Sequence, residues 1–141
     1  MGFDWTEYLN LAKEMHHCAP NSKCSESRHR CAASRAYYAA FCKNRNYLRD
    51  VEKDPYLQGN VKHGAEVHSY VIDTCKRGPQ PTKKRIGTDL DRMRNRRNQA
   101  DYDDFVVDPV ALAQATMSYA ENVLRWLSIL ETNPPTSSGY F

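Results

Sequence analysis

Ser34-Arg35-Ala36-Tyr37-Tyr38-Ala39-Ala40-Phe41 is the stretch whose reading decides the fold. Alanine is the strongest helix former. Ala33, Ala36, Tyr37, Ala40, Phe41 and Leu48 recur at the three- and four-residue steps of one helical face. Small residues on that face let neighbouring helices come close, and the aromatic rings fill the space between them. Pro20-Asn21 stands before the stretch, and Asp54-Pro55 with Gly59 follows it. These breakers confine one long helix to about Lys23–Val51.

The same period extends outward in both directions. Asp4, with Glu7 three positions on, reads as the N-cap of a first helix with Trp5, Tyr8, Leu9, Ala12 and Met15 inward. Asn60 reads as the cap of a third helix, with Val61, Ala65, His68, Ile72 and Cys75 at steps of four, three, four and three. Gly78-Pro79-Gln80-Pro81 ends it. A fourth helix covers about Thr82–Tyr102, with Ile86, Leu90 and Met93 inward. Asp108-Pro109 is a cap followed by proline at the first helical position. It opens a fifth helix to about Glu131, with Ala113, Met117, Ala120, Leu124, Leu127 and Leu130 inward. No strand pattern and no internal repeat appears. The expectation is an all-α, up-and-down bundle of four to five helices over residues 1–132, with a flexible tail at 133–141.

Composition narrows the class. Of the 141 residues 40% are hydrophobic and 26% charged, which argues against disorder. No apolar run approaches the roughly 20 residues of a membrane span. The opening Met-Gly-Phe-Asp-Trp lacks the basic end and apolar core of a signal peptide. Cys18, Cys24, Cys31, Cys42 and Cys75 are odd in number and match no common zinc spacing. They are expected to be free thiols used for packing in a reducing cytoplasm, with no metal and no cofactor.

Charge is unevenly spread. Lys83–Arg97 holds seven basic and two acidic residues, a local excess of +5 against a net charge of +3 for the whole chain. Such a run is either a solvated helix face or a surface for phosphates. Helical spacing marks out one member. Arg97 is the next position on the inward line of Ile86, Leu90 and Met93. A charge on that line is costly unless paired, and Asp101 lies one turn beyond it.

Taken together, Ser34–Phe41, Leu90, Arg94, Arg97-Asn98-Gln99-Ala100-Asp101-Tyr102-Asp103, the opening Phe3–Leu9 and the region around His63 and His68 form a pattern. It resembles the HEPN superfamily of prokaryotic helical domains over roughly residues 3–130. The resemblance implies a helical bundle, often a homodimer, from toxin–antitoxin or antiviral defence systems. It also implies metal-independent endoribonuclease chemistry, or an RNA-binding relative of such an enzyme. By the resemblance, Arg97 and Asn98 fall at the catalytic motif, with Asp101 and Tyr102 nearest to where its His would stand; Arg94, Arg35, Tyr38 and His68 are candidate RNA-binding residues beside it. Strand cleavage by the ribose 2′-hydroxyl needs a base for its proton and a cation for the developing phosphate charge. Arg97 suits the second task, because its planar fork binds phosphate oxygens and stays charged. Asn98 would orient Arg97 or the ribose.

The sequence departs from the family pattern in one respect: no His follows Arg97 at the motif distance. Asp101 and Tyr102 stand there instead. Their reference pKa values, about 3.9 and about 10, suit neither for base catalysis at neutral pH. His68 or His63 would have to supply the imidazole. The bland counterpart for His68 is a hydrogen-bonded core histidine. Arg35 has two readings, a second phosphate contact or the ion-pair partner of a carboxylate such as Asp101. Tyr38 reads as a base-stacking ring and Tyr37 as core. Asp101 and Tyr102 with the two arginines also read as a fixed conformational lock without chemistry. The competing functions are therefore an RNA-directed module and a non-catalytic dimerising module. The latter would be antitoxin-like or nucleotidyltransferase-associated, with a cognate partner protein. A nucleotide pocket around His68, Arg97 and Tyr102 comes third.

Overall fold

A computed structural model describes residues 2–60 and 62–133. Five α-helices account for it: α1 (Thr6–Cys18), α2 (Ser25–Asp50), α3 (Ala65–Arg77), α4 (Pro81–Tyr102) and α5 (Pro109–Thr132). Short 3₁₀ turns at Ala19–Asn21 and Pro55–Leu57 complete the regular structure, and no strand occurs among the described residues. The molecule is an all-α helical bundle. The expected tail beyond Asn133, and Val61 at the expected start of the third helix, lie outside the described residues.

α2 is the central element, in contact with all four other helices. Its alanines explain this. Ala32, Ala33, Ala36, Ala39 and Ala40 are fully buried, so the partner helices approach the α2 backbone closely. Tyr37, Phe41 and Leu48 fill the space above that small-residue surface, against Leu90 and Met93 of α4 and Val123 and Leu127 of α5. Each such apolar side chain removed from water contributes about 1.5–3 kcal/mol. A second, smaller cluster joins Ala33, Ala100 and Leu112 under Val106 of the α4–α5 loop.

α1 and α4 run opposite to α2. Tyr8 of α1 faces Arg35, and Trp5 before it faces Arg45. Lys83 at the start of α4 pairs with Glu52 just past the end of α2, at 2.8 Å. α3 and α4 form a helical hairpin about Gly78-Pro79-Gln80. Their tightest approach is at Gly87, where a Cβ would stand 2.9 Å from the Lys76 backbone nitrogen and 3.1 Å from the Cys75 Cβ. Only glycine fits there. The turn at Pro55–Leu57 follows α2, and α3 starts level with the middle of α2, His68 against Phe41. Tyr70 holds that turn by donating its hydroxyl to the Asp54 carboxylate at 2.6 Å.

Several ends differ from the sequence reading. α3 begins at Ala65, capped by Gly64 at φ 103°, and Asn60 caps nothing. Residues 59 and 60 form a bend, residues 62 to 64 are non-helical, and Gly64 is left-handed. Asp4 does act at the start of α1, accepting from the Thr6 amide at 3.1 Å and the Thr6 hydroxyl at 2.6 Å, but Trp5 takes the cap position. Asp108 caps α5 as expected, accepting from the Ala111 amide at 3.0 Å. Only Cys42 and Cys75 serve packing; Cys18, Cys24 and Cys31 are exposed.

Candidate functional site

A cleft of about 660 Å³ opens where α3 begins and α4 ends. Tyr38 of α2, His63 to Ala65 and His68 at the α3 side, and Arg94, Arg97, Asn98, Tyr102 and Asp103 at the α4 side line it. Six of the eight residues expected at the site therefore meet in one place. Arg35 and Asp101 do not line the cleft.

Arg97 is the organising group. Its helical phase turns it inward, and only 8% of its surface is exposed. The guanidinium lies over two rings, its Cζ 5.2 Å from the centre of Tyr37 and 5.5 Å from that of Tyr38. It donates to the Tyr38 hydroxyl at 3.4 Å. The pairing with Asp101 is long, 3.9 Å, because that carboxylate turns to the Ser34 hydroxyl, which donates to it at 3.2 Å. The buried Arg97 Nε has no hydrogen-bond partner among the described residues. A buried cation so weakly neutralised costs stability and favours an anion beside it.

Other groups add positive potential. Arg94 crosses to α3, donating to the Ser69 hydroxyl at 3.0 Å and the Ala65 carbonyl at 3.5 Å. α3 starts at the cleft wall, so the positive end of its dipole and its first free amides lie there. Arg30 of α2 fixes the far wall. It donates to the carbonyls of Ala100, Asp103 and Asp104 and so satisfies the C-terminus of α4. That role carried no sequence signal, because Arg30 sits about 70 positions from the carbonyls it holds.

His68 is a wall residue. Its ring stacks on Phe41 with centres 4.0 Å apart, and its Nδ1 is 2.5 Å from the Tyr37 hydroxyl. Burial first, then the Arg97, Arg94 and Arg45 cations, push its pKa down to about 4. The ring is neutral at physiological pH. The same burial raises the Tyr37 phenol, so Tyr37 keeps its proton, and its hydroxyl and the His68 Nδ1 share one hydrogen bond. The core reading of both residues describes this pair. His63, by contrast, is exposed at the rim.

The remaining expected residues divide. Tyr38 is half-buried between Arg97 and Arg35. Tyr102 is 73% exposed at the rim. Arg35 makes no ion pair with Asp101. It lies between the Tyr8 and Tyr38 rings, 4.9 and 5.2 Å from their centres, and reaches Asp101 only through Ser34, at 3.5 Å. The proposed lock of two arginines, Asp101 and Tyr102 is thus incomplete, with Tyr102 outside it. Among the described residues no three His, Cys, Asp or Glu side chains come together as a metal site. Among the described residues no helix is long and apolar enough to cross a membrane.

Fold and cleft define an all-α bundle with a cationic pocket at one helix hairpin. Compared with family models, with curated proteins and with solved structures, the chain finds no match.

Proposed function

We propose that the chain is an RNA-directed module of the HEPN kind, acting in the cytoplasm, which binds the phosphate backbone in the Arg97 cleft and does not cleave it. The observation that carries this reading is the buried, under-neutralised Arg97, backed by Arg94 and by the start of α3. Asn98 and the exposed Tyr102 ring supply a polar contact and a stacking surface for ribose and base. The reading without cleavage rests on His68, the imidazole held in the cleft wall, and leaves His63 at the exposed rim to the test. An effective base has a pKa near the working pH. His68 at about 4 falls well below that, and its Nδ1 is committed to Tyr37.

The test uses total RNA and a labelled tetranucleotide without metal. The wild type is expected to bind with steep salt dependence and leave the RNA intact. Arg97→Ala is expected to weaken tetranucleotide binding about tenfold or more, the range of a lost charge-assisted contact. Unchanged affinity in that variant would end the proposal. Cleavage abolished by His63→Ala would restore the endoribonuclease form.

One observation favours a second reading, the dimerising or partner-binding module of a toxin–antitoxin or defence system. Phe105 and Val107 of the α4–α5 loop are 79% and 87% exposed. They flank a groove floored by Ala111, Leu112 and Ala115. Mass in solution decides it: a dimer that Phe105→Ser with Val107→Ser turns into monomer supports this reading, and a monomeric wild type that co-purifies with nothing removes it.

A further inference from the structure

α4 carries a second cationic face that the cleft does not use. Arg85, Arg92 and Arg96 fall within about 40° of one another around the helix, while Arg94 and Asn98 point to the opposite side, at 3.6 residues per turn. From Arg85 to Arg96 the face runs about 17 Å at 1.5 Å per residue. Alongside it, α5 presents two rings in register. Arg85 lies 6.0 Å from the centre of Trp126, Arg92 5.9 Å and Arg96 5.1 Å from that of Tyr119. A groove of about 330 Å³ between Trp126 and the α4 residues Lys84 to Arg92 is part of the same surface.

Two details make this more than a solvated charge run. Asp89, at the groove floor, is buried, and its carboxylate lies 3.5 Å from the Arg92 guanidinium, so it anchors that cation. Trp126 is only half-buried, which leaves indole surface outside the core. Cations spaced along a helix beside paired aromatic rings are what a flexible polyanion with flat bases needs. Phosphates follow the arginines, and bases stack on the ring–guanidinium layers.

We propose that the Arg85–Arg92–Arg96 face of α4, with Trp126 and Tyr119 of α5, is a track for single-stranded nucleic acid, separate from the cleft. At about 3.4 Å per stacked nucleotide it holds about five. The track stands on observations distinct from those at Arg97, so either site can fail without the other.

The experiment takes the full chain with Trp5→Phe, which leaves Trp126 as the single tryptophan. Dodecauridylate and dodecathymidylate are titrated at about 50 and about 200 mM salt, following Trp126 emission and the anisotropy of the labelled strand. Binding is expected to quench Trp126. Arg85→Ser with Arg96→Ser, both on the surface, is expected to weaken binding about tenfold and to lower the salt slope by about 1 to 2, the share of two phosphate contacts on a single strand. Arg97→Ala is expected to keep the quench. The proposal is overturned if the double variant, folded by circular dichroism, binds like its parent. It is equally overturned if the quench disappears in Arg97→Ala alone, or if polyglutamate quenches Trp126 and the oligonucleotides do not.

Discussion

Arg96 and Arg97 are neighbours in the chain with opposite surroundings. Arg96 lies along α4 at the surface, donating to the Arg92 carbonyl at 3.3 Å and facing Tyr119. Arg97, about 100° further round the helix, is packed between Tyr37 and Tyr38 with a stretched ion pair and an unpartnered nitrogen. The same residue type, with the same charge, is thus a cheap surface group in one case and a costly buried one in the other. Helical phase decides which. The seven basic residues between Lys83 and Arg97 are therefore several populations: Lys83 tied to Glu52 on another element, Lys84 in solvent, Arg85, Arg92 and Arg96 on one surface face, and Arg94 and Arg97 turned to the cleft.

The largest expected effect tests the inward side itself. Leu90 is fully buried on the line that leads to Arg97. Leu90→Ala should cost about 2–5 kcal/mol in denaturant unfolding, the range for a cavity in a close-packed core. A loss under about 1 kcal/mol would mean that α4 is not seated as described.

Acidification comes next, because the cleft wall holds the buried imidazole of His68. His68 has a folded pKa of about 4 against about 6.5 in an unfolded chain. A histidine depressed in this way takes up its proton more readily when unfolded. Its contribution is fully present above pH 6.5 and is lost as pH falls toward 4, by up to roughly 3 kcal/mol. His16 adds a smaller loss of the same sign, its pKa lowered by burial and by His29, whose Nδ1 is 2.9 Å away. Urea unfolding at pH 7 and pH 4.5 measures this, and His68→Gln should flatten the difference. Equal slopes in both proteins would remove His68 from the explanation.

The smallest effect is the sharpest discriminator between the adjacent arginines. Replacing a poorly paired buried charge with an apolar chain of similar length is often neutral or stabilising. Arg97→Met should leave the melting temperature unchanged or raise stability by about 1 kcal/mol while removing tetranucleotide binding. Arg96→Ala should change stability by less than about 0.5 kcal/mol. If Arg97→Met were strongly destabilising, Arg97 would be a structural pivot, and its cost would not be a sign of function.

Much of this was legible in the sequence, for definite reasons. The alanine-rich face of α2, the inward position of Arg97 and the stripe position of His68 all follow from one helical period. Breakers at Gly78-Pro79 and Asp108-Pro109 set two helix boundaries to within a residue or two. The start of α3 was not legible. Asn60 and Val61 fit the helical period, but the turn to come depends on Gly64 and on Tyr70 gripping Asp54, a contact across 16 positions. Site chemistry was legible only as residue types. The sequence leaves Arg35 free to meet Asp101, yet the rings of Tyr8 and Tyr38 hold its guanidinium. Tyr102 shares the motif with Arg97 but lies at the last residue of α4, where the helix no longer has a core to face. Such outcomes depend on which helix passes alongside, and local periodicity carries no record of that.

Gly87 gives the cleft a mechanical character. α3 and α4 touch at Gly87 and Cys75 and stand apart at Ala65 and Asn98, so the pair is a wedge with its apex at the glycine. Ten residues of rigid α4 separate apex from Arg97, a lever of about 15 Å. A small tilt at the apex is amplified along that arm, and the span of Arg94 to Ser69 and Ala65 is the strut that fixes the opening against it.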